Sequence, residues 1–565
     1  MSNSPRTIVI VGGVAGGATA AARARRCNET ANIILLEKDE YVSFANCGLP
    51  YHIGGEIPDR DKLLIATPDK FREWFNIDVR TRHECLSINR PQKSISVKNH
   101  LTDETYELPY DRLILSPGAS PIVPDFAGVK AANVFTLRNL ADTDAILRYL
   151  EDEPRKVAVI GAGFIGLEMV EMLHKLGLQV TLVELQKQVM PPLDDEMARL
   201  VEAELKRNNI TLHLGTGLKD IRTVDNIATQ VVLDNGTTFD TDMVILSIGV
   251  RPNTKLAADA GLQIGPNVSG GGGITVNQYM QTSDPLIYAA GDAVEYTHGI
   301  TRQTMRVPLA GPANRAGRIA GEHAATDAAP PMAPVFGTSI VRVFNTIAGM
   351  SGISGKTAEK LNIPYAAVWV PARHHSSYYP GSEEMLIKLL YAPDTAPAPG
   401  SKGKILGVQI VGGAGVDKRI DVIATAMHFG GTINDLAELD LAYAPPFGSA
   451  KDPVHMAAFV AQNTLRKLDR TIPPQSIYGD RDQVQWIDVR NPAEWQAGHL
   501  ANARWIPLNE LRKRIGEIDP KRPVVTICRA GQRGYYATRI LRQHGCKDVA
   551  TLSGGMFMAN VIAKP

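Results

Sequence analysis

Short apolar runs broken by glycine set the pattern of this chain. Thr7-Ile8-Val9-Ile10-Val11 reads as a buried strand that passes into Gly12-Gly13-Val14-Ala15-Gly16-Gly17, and the Ala-rich stretch Ala18 to Arg26 predicts a helix. The next apolar run, Ile33-Ile34-Leu35-Leu36, predicts a strand ending at Glu37. The same order returns about 150 residues on: Val157-Ala158-Val159-Ile160, then Gly161-Ala162-Gly163-Phe164-Ile165-Gly166, a helix from Leu167 to Leu176, and a strand from Gln179 to Val183 that ends beside Glu184. A second pair of repeats, Leu113-Ile114-Leu115-Ser116-Pro117-Gly118-Ala119 and Val244-Ile245-Leu246-Ser247-Ile248-Gly249-Val250, each ends a strand in a glycine turn. Ile287-Tyr288-Ala289-Ala290 predicts one more strand, closed by Gly291-Asp292.

Strand, glycine turn and helix in that order let a dinucleotide pyrophosphate sit on a helix N-terminus, while a carboxylate on the next strand accepts the ribose hydroxyls. Glu37 lies 20 residues after Gly17, and Glu184 lies 18 after Gly166. The second copy is a complete GxGxxG. In the first, Val14 holds the middle position, so the backbone must approach the phosphates differently there. Two copies in one chain predict two bound dinucleotides. Glu184 would repel a 2′-phosphate and Leu185-Gln186 supplies no arginine, which reads as NADH rather than NADPH, with Lys187 the one cation close by.

Beyond Val335 the pattern changes. Strands are predicted at Thr338 to Phe344, Tyr365 to Val370, Met385 to Leu390 and Ile405 to Val411, followed by a helix from Asp417 to His428, as a mixed sheet with helices. The insert from Ala392 to Gly400 is a Pro-rich loop, and Lys467 to Ser476, with Pro473-Pro474, reads as a linker. The last 90 or so residues alternate again: strand Val484 to Val489, strand Val524 to Ile527 ending at Cys528, and a helix from Tyr535. This predicts a compact α/β domain with a cysteine at the C-terminal end of a strand, the edge where parallel sheets place ligands.

Composition narrows the picture. A chain of 565 residues is too long for one core. With 60 Lys plus Arg against 59 Asp plus Glu, it lacks the basic excess of a nucleic-acid or anionic-membrane binder, so small molecules are the expected partners. No apolar run is long enough to span a membrane and Met1 to Thr7 hold no apolar signal core, so the expected location is the cytoplasm. The five cysteines (Cys27, Cys47, Cys85, Cys528, Cys546) are too few and scattered for a disulfide framework, and no CxxC exists, so neither a zinc ribbon nor a dithiol pair is expected and no metal is assigned. Sulfur chemistry here would use single thiols.

Two of these thiols stand out. Cys47, in Ser43-Phe44-Ala45-Asn46-Cys47-Gly48-Leu49-Pro50-Tyr51, follows the first ribose strand, and position 52 is His52, so the Cys-x4-Cys dithiol of typical disulfide reductases is excluded. Its one thiol must pair with a sulfur from outside. On the first helix, Arg23 and Arg26 are three apart on one face, which suits a multiply charged phosphate ligand as well as it suits an ordinary solvated face. Cys528 opens Cys528-Arg529-Ala530-Gly531-Gln532-Arg533, a six-residue loop in which backbone N–H groups, a helix N-terminus and two arginines would favour thiolate. A cysteine phosphatase loop is one residue longer, so this bore favours a sulfur atom over a phosphate.

The paired nucleotide signatures and Gly291-Asp292 resemble the flavoprotein disulfide reductases. That resemblance implies FAD on Gly12, Gly13, Val14, Ala15, Gly16, Gly17, Glu37, Ser116 and Gly118, with Asp292 on the ribitol, and NADH on Gly161, Gly163, Phe164, Ile165, Gly166, Glu184 and Gly249. The Ser43 to Tyr51 stretch, with Tyr443-Ala444-Pro445-Pro446-Phe447-Gly448-Ser449-Ala450-Lys451, closely resembles coenzyme A-disulfide reductases. It implies Cys47 as redox nucleophile; Thr19, Arg23, Arg26, Ser43, Asn46 and Lys451 along coenzyme A; and Tyr378 or Tyr379, with Tyr378 the choice by spacing, together with Tyr443 reaching the substrate from the partner subunit of a homodimer. The Cys528 loop, with Asp488-Val489-Arg490 and Gly498-His499-Leu500 ahead of it, resembles rhodanese sulfurtransferases, implying a persulfide on Cys528 with Arg533 in the catalytic loop.

The expected architecture is α/β: two Rossmann-like dinucleotide-binding domains, an α+β dimerisation domain and a C-terminal rhodanese-like domain. The FAD domain would span 1–149 and 276–330, the NADH domain 150–275, the dimerisation domain 335–463, a linker 464–476 and the rhodanese-like domain 477–565. The expected activity is NADH-dependent reduction of CoA persulfide, polysulfide or CoA disulfide. The rivals are an NADH oxidase or peroxidase using a cysteine sulfenic acid, and a sulfur relay protein.

Overall fold

The computed structural model describes residues 5–266, 272–395, 402–479 and 483–563. The chain forms two compact units, Met1–Lys187 with Ile210–Gly337, and Gln188–Asn209 with Thr338–Pro565. The main elements begin with β1 (Thr7–Val11), α1 (Ala15–Cys27), β2 (Asn32–Glu37), α2 (Leu49–Ile53), β3 (Asp78–Thr81), β4 (Arg112–Leu115) and β5 (Val134–Phe135). They continue with β6 (Lys156–Ile160), α3 (Phe164–Lys175), β7 (Gln179–Glu184), α4 (Asp195–Arg207), β8 (Thr211–Leu214), β9 (Met243–Leu246), β10 (Ile287–Ala289) and α5 (Ala310–Thr326).

In the first unit, one parallel sheet has the order β10-β4-β1-β2-β3 and a second the order β8-β7-β6-β9-β5. Their central strands are near-continuous apolar runs because both faces are covered; Ile8, Val9 and Ile10 are fully buried, as are Ala158 and Val159. The glycine-turn repeats also pair with each other, Ala119–Pro121 lying antiparallel to Val250–Pro252. Against the first sheet, α1 and α5 pack backbone to backbone. A Cβ on Gly317 would stand 2.2 Å from the Gly16 carbonyl oxygen, and one on Gly321 2.2 Å from that of Ala20.

The second unit contains β11 (Ser339–Val343), β12 (Thr346–Gly352), β13 (Ala366–Arg373), β14 (Glu384–Tyr391), β15 (Ile405–Gly412), α6 (Val416–His428) and α7 (Pro453–Leu465). The sheet, of order β11-β12-β15-β14-β13, is antiparallel throughout rather than mixed, and β12 was not predicted. Its sequence, Thr346-Ile347-Ala348-Gly349-Met350-Ser351-Gly352, reads as a loop because the glycines replace large apolar residues; Ile420 of α6 lies where a Gly349 side chain would project. Although α4 falls within residues 150–275, it packs in this unit, through buried Met197, Ala198, Val201 and Leu205 and an ion-pair cluster. Lys388 reaches Asp194 at 2.7 Å and Glu196 at 2.5 Å, and Trp369 Nε1 also donates to Glu196.

The chain then forms β16 (Thr471–Ile472), β17 (Gln485–Asp488), β18 (Arg504–Trp505), β19 (Val524–Ile527), α8 (Gln532–Gln543), β20 (Val549–Leu552) and α9 (Gly555–Ala563), with parallel sheet order β16-β20-β19-β17-β18. The stretch expected as a linker therefore supplies an edge strand: β16 pairs with Thr551 and Leu552, and Arg539 donates to the Leu468 carbonyl. Of the Pro-rich insert, residues 396–400 lie outside the described residues.

Gly321→Val should force α1 and α5 apart, an overpacking cost of about 1–3 kcal/mol that lowers the thermal midpoint by several degrees. Gly311→Ala, on the same helix with nothing within 4 Å of the added carbon, should hold or raise it. Differential scanning calorimetry of the two variants reads both outcomes.

Candidate active site

Each nucleotide turn rests on two contacts that only glycine permits. Gly12 and Gly161 adopt φ of +94° and +106°, in the left-handed region. A Cβ on Gly17 would stand 1.8 Å from the Gly12 carbonyl oxygen, and one on Gly166 1.9 Å from that of Gly161. The turns also share a carboxylate bond: Glu37 accepts the Gly13 N–H at 2.7 Å, and Glu184 accepts the Ala162 N–H at 2.7 Å. Burial pushes the Glu37 carboxyl up, opposed by the N–H groups of Asp39 and Gly13. Val14 is accommodated because its φ, −91°, like that of Gly163, −80°, needs no glycine. Nothing lies within 4 Å of a Cβ built on Gly163, so the space before α3 is open, and Val14 stands at the equivalent place before α1. Both turns fit a dinucleotide, with helix N-terminal N–H groups for the pyrophosphate.

Ser116 and Ser247 close the turns from the neighbouring strand. Their N–H groups bond Val11 and Ile160 carbonyls, each at 2.7 Å, and Ser247 Oγ donates to Gly161 O at 2.9 Å. Gly118 and Gly249 turn the chain with φ of +66° and +113°. Asp292 follows Gly291 and pairs with Arg138 at 3.0 Å, a residue the sequence reading did not single out. Arg138 Nη2 also lies 3.2 Å from the point where a Gly118 side chain would begin. Phe164 and Ile165 open α3.

Cys47 is carried on a single 3-10 turn, Asn46–Gly48, ahead of α2. The preceding loop is pinned by Ser43 N–H to Gly13 O at 2.8 Å and Ala45 N–H to Leu63 O at 2.8 Å, and Ser43 takes a left-handed φ of +49°. A non-glycine residue held there stores strain, as active-site residues do. From α2, Gly54 meets Met172 of α3, so the cysteine turn is seated on the helix of the second nucleotide turn. Cys47 is exposed as a residue, and its sulfur lies 3.8 Å from Asn46 Oδ1. Desolvation of the sulfur pushes the thiol up, the carboxylates of Glu168 on α3 and of Asp292 add to this, and Arg138 opposes them. Tyr51 OH donates to Glu168 at 3.1 Å. The thiol is thus influenced by Glu168 of α3, the helix that opens at the second glycine turn, and by Asp292, which follows Gly291 after β10. Glu168 carries no sequence signal of its own, since only the packing of α2 on α3 brings it to the sulfur.

The other residues implied along coenzyme A divide. Thr19 bonds Asn314 at 2.6 Å and Arg23 pairs with Glu322 at 2.6 Å, both across to α5, while Arg26 is exposed. In the second unit, Tyr378 and Tyr443 share a hydrogen bond of 3.1 Å, and bonds from Tyr443 and then Ser376 hold the Tyr378 phenol below its usual range. Tyr379 instead sets its ring edge-on to His375. The two tyrosine loops are tied by Ser376 N–H to Gly448 O at 3.0 Å and by the buried Arg419, which bonds both His374 O and Asp452. Lys451, beside Asp452, is exposed.

Cys528 is buried, and the Gly531 N–H donates to its sulfur at 3.1 Å. Gly531, at φ +105°, bends the loop back onto the sulfur. The two loop arginines differ from the expectation of bare cations: Arg533 is held in a two-point pair by Glu494, at 2.6 and 2.7 Å, and Arg529 pairs with Glu384 of β14. Arg529 is exposed and Arg533 partly buried, and each takes a carboxylate; the Gly531 N–H contacts the sulfur directly, while Cys528 adds to Glu494 in raising the Arg533 guanidinium. Asp488 and Arg490 form a buried pair at 2.7 Å, and Arg490 bonds the Gly498 carbonyl, which makes those motifs the frame of the loop. His499 stacks on Trp495 at 3.6 Å.

Removing the charge of Glu168 should ease ionisation of Cys47, since a neighbouring carboxylate raises a thiol pKa. Glu168→Gln is expected to move the midpoint of Cys47 alkylation by iodoacetamide to lower pH; an unchanged midpoint would show that this carboxylate does not address the sulfur.

Comparison with known proteins accords with this geometry. The family described as pyridine nucleotide-disulphide oxidoreductase matches residues 6–317, its dimerisation domain matches 338–453, and a rhodanese-like domain matches 476–558. A coenzyme A disulfide reductase of Staphylococcus haemolyticus is 35% identical over 459 residues, 81% of this chain and 100% of that protein. Among solved structures, the reduced CoADR-RHD of Bacillus anthracis is 44% identical with a TM-score of 0.94, covering 99% of this chain and 98% of that one. A NAD-dependent persulfide reductase from A. fulgidus is 36% identical with a TM-score of 0.89, covering 98% and 99%. On the doubled glycine turns, Cys47 without a second cysteine at the dithiol spacing, and these likenesses, the chain belongs to the pyridine nucleotide-disulphide oxidoreductase family and carries that family's dimerisation domain and a rhodanese-like domain.

Proposed function

We propose that this protein is an FAD- and NADH-dependent reductase of CoA persulfide, polysulfide and CoA disulfide, working through Cys47, with Cys528 handling sulfane sulfur. The observation that carries the reading is that Cys47, without a second cysteine in the dithiol spacing, is an exposed thiol on a turn that leads into α2, which packs at Gly54 on α3, the helix that opens at the second glycine turn. FAD, when bound, supplies to sulfur the electron pair taken from NADH. The residues for it are the Gly12 to Gly17 turn, Glu37, Ser116, Gly118 and Asp292, and those for NADH are the Gly161 to Gly166 turn, Glu184 and Gly249.

The Cys47 thiolate attacks the CoA-side sulfur of the persulfide, forming a mixed disulfide and releasing hydrosulfide. Two electrons and a proton then release CoA thiol and restore the thiolate. In sum, CoA persulfide, NADH and a proton give CoA thiol, hydrogen sulfide and NAD+. With CoA disulfide the same cysteine releases two CoA thiols. The tyrosine pair Tyr378 and Tyr443 donates a proton to the leaving thiolate, a role supported by their shared bond and the eased ionisation of Tyr378.

Ser43, Asn46, Arg26 and Lys451 are assigned to coenzyme A in this reading. Thr19 and Arg23 border it from a helix face where both are already bonded to α5. The protein is assigned as a homodimer, supported by the match to a dimerisation domain, and to the cytoplasm, where thiols stay reduced. No helix among the described residues is long and apolar enough to cross a membrane.

Steady-state assays with NADH should show kcat/KM higher for CoA persulfide than for CoA disulfide; the reverse order would overturn the persulfide preference. Cys47→Ser should cut both reductions by at least about 100-fold, as expected for loss of a covalent nucleophile. Cys528→Ser should abolish sulfur transfer from thiosulfate to cyanide while CoA disulfide reduction persists. NADH oxidation at full rate in an oxygen electrode without any sulfur substrate would instead identify an oxidase.

A further inference from the structure

The Cys528 loop is held from two sides. Behind it, the first turn of α9 donates the Met556 N–H to Cys528 O at 2.8 Å and the Phe557 N–H to Arg529 O at 2.9 Å, and a Cβ on Gly555 would lie 2.2 Å from Cys528 O. On the other side stands the dimerisation sheet. Glu384 of β14 pairs with Arg529, Phe557 enters a small cavity lined by Glu384, Met385, Leu386 and Val411, and Trp369 N–H of β13 donates to Ser553 Oγ at 3.0 Å. Ser553 directly precedes Gly554 and Gly555, which underlie the loop.

We propose that Glu384 of the dimerisation sheet is a positioning residue for the sulfur-carrying loop: it holds the Arg529 side chain away from the Cys528 sulfur and so keeps the Gly531 N–H as the loop's contact to it. This rests on the assignment of Cys528 as the sulfur carrier. A lone pair at this degree of exposure contributes little to stability, so its effect is local. What it controls is charge. Arg529 is the residue next to the reactive sulfur, and an uncompensated guanidinium there would favour thiolate.

Among the other charged groups, Arg373 stands opposite Glu384 on β13 and donates to the Ser382 carbonyl, and the following are held in ion pairs. Asp488 with Arg490 comes from β17 and its following turn, and Glu494 with Arg533 joins the short helix Pro492–Gln496 to α8. On β14, Lys388 is taken by Asp194 and Glu196, and in the shared cavity Arg207 pairs with Glu204. From α9 the contact is made by backbone and by uncharged Met556 and Phe557. Freeing Arg529 therefore changes the local charge balance at one point.

The test is the pH dependence of iodoacetamide alkylation in the full-length flavoprotein, read for the Cys528 peptide by mass spectrometry with the Cys47 peptide as internal reference. Glu384→Gln should move the Cys528 midpoint down by about half a pH unit or more. Glu384→Asp, which keeps the carboxylate, should restore it toward the wild-type value. In an Arg529→Gln background, Glu384→Gln should produce no such shift, because the cation responsible is gone. A wild-type midpoint in Glu384→Gln, or a shift that persists without Arg529, would overturn the proposal. This readout needs no sulfur substrate, so it stands apart from the thiosulfate assay that decides whether Cys528 carries sulfur at all.

Discussion

The close approach of Gly17 to the Gly12 carbonyl, and of Gly166 to that of Gly161, is the constraint on which the catalytic half of this molecule depends. At 1.8 and 1.9 Å from a would-be Cβ, neither contact tolerates a side chain. Each lets a helix begin immediately beyond a buried parallel strand, which leaves its first N–H groups free for a phosphate. The buried glutamates follow from the same geometry. Glu37 and Glu184 bond the N–H of the turn itself, so each carboxylate is fixed by the turn beside it. The helix of one turn then sits in the floor of the cysteine site: α3 receives α2 at Gly54 and presents Glu168 to Cys47.

The two functional sulfurs occupy opposite electrostatic settings. Cys47 faces carboxylates and partial desolvation, both of which hold it as thiol until a positive group or a substrate changes the balance. Cys528 faces a backbone N–H in a loop whose arginines are already matched by carboxylates. A carrier must accept sulfur and release it, and a loop built from amides stabilises the thiolate leaving group without trapping the charge in a tight ion pair. The difference lies in which groups the folds bring to each sulfur, since both cysteines are short, uncharged side chains next to glycine-containing turns.

Local sequence determined the parts of this protein that depend on neighbours in the chain. The apolar runs, the doubled glycine turns, Glu37 and Glu184 at their spacings, the absence of a second cysteine near Cys47 and the six-residue loop after Cys528 all express backbone geometry over a few residues, and these turns, carboxylates and loop stand where that geometry requires. The strand Thr346–Gly352 was illegible because Gly349 makes room for Ile420 and Gly352 for the Leu406 carbonyl, facts about a distant helix and strand. Tertiary packing alone decided that residues 188–209 join the dimerisation sheet through Lys388, that Glu168 and Arg138 act on the Cys47 thiol, and that Glu384 pairs with Arg529. These are interactions between residues far apart in the chain, and a charged side chain carries no sequence mark of which distant partner will neutralise it.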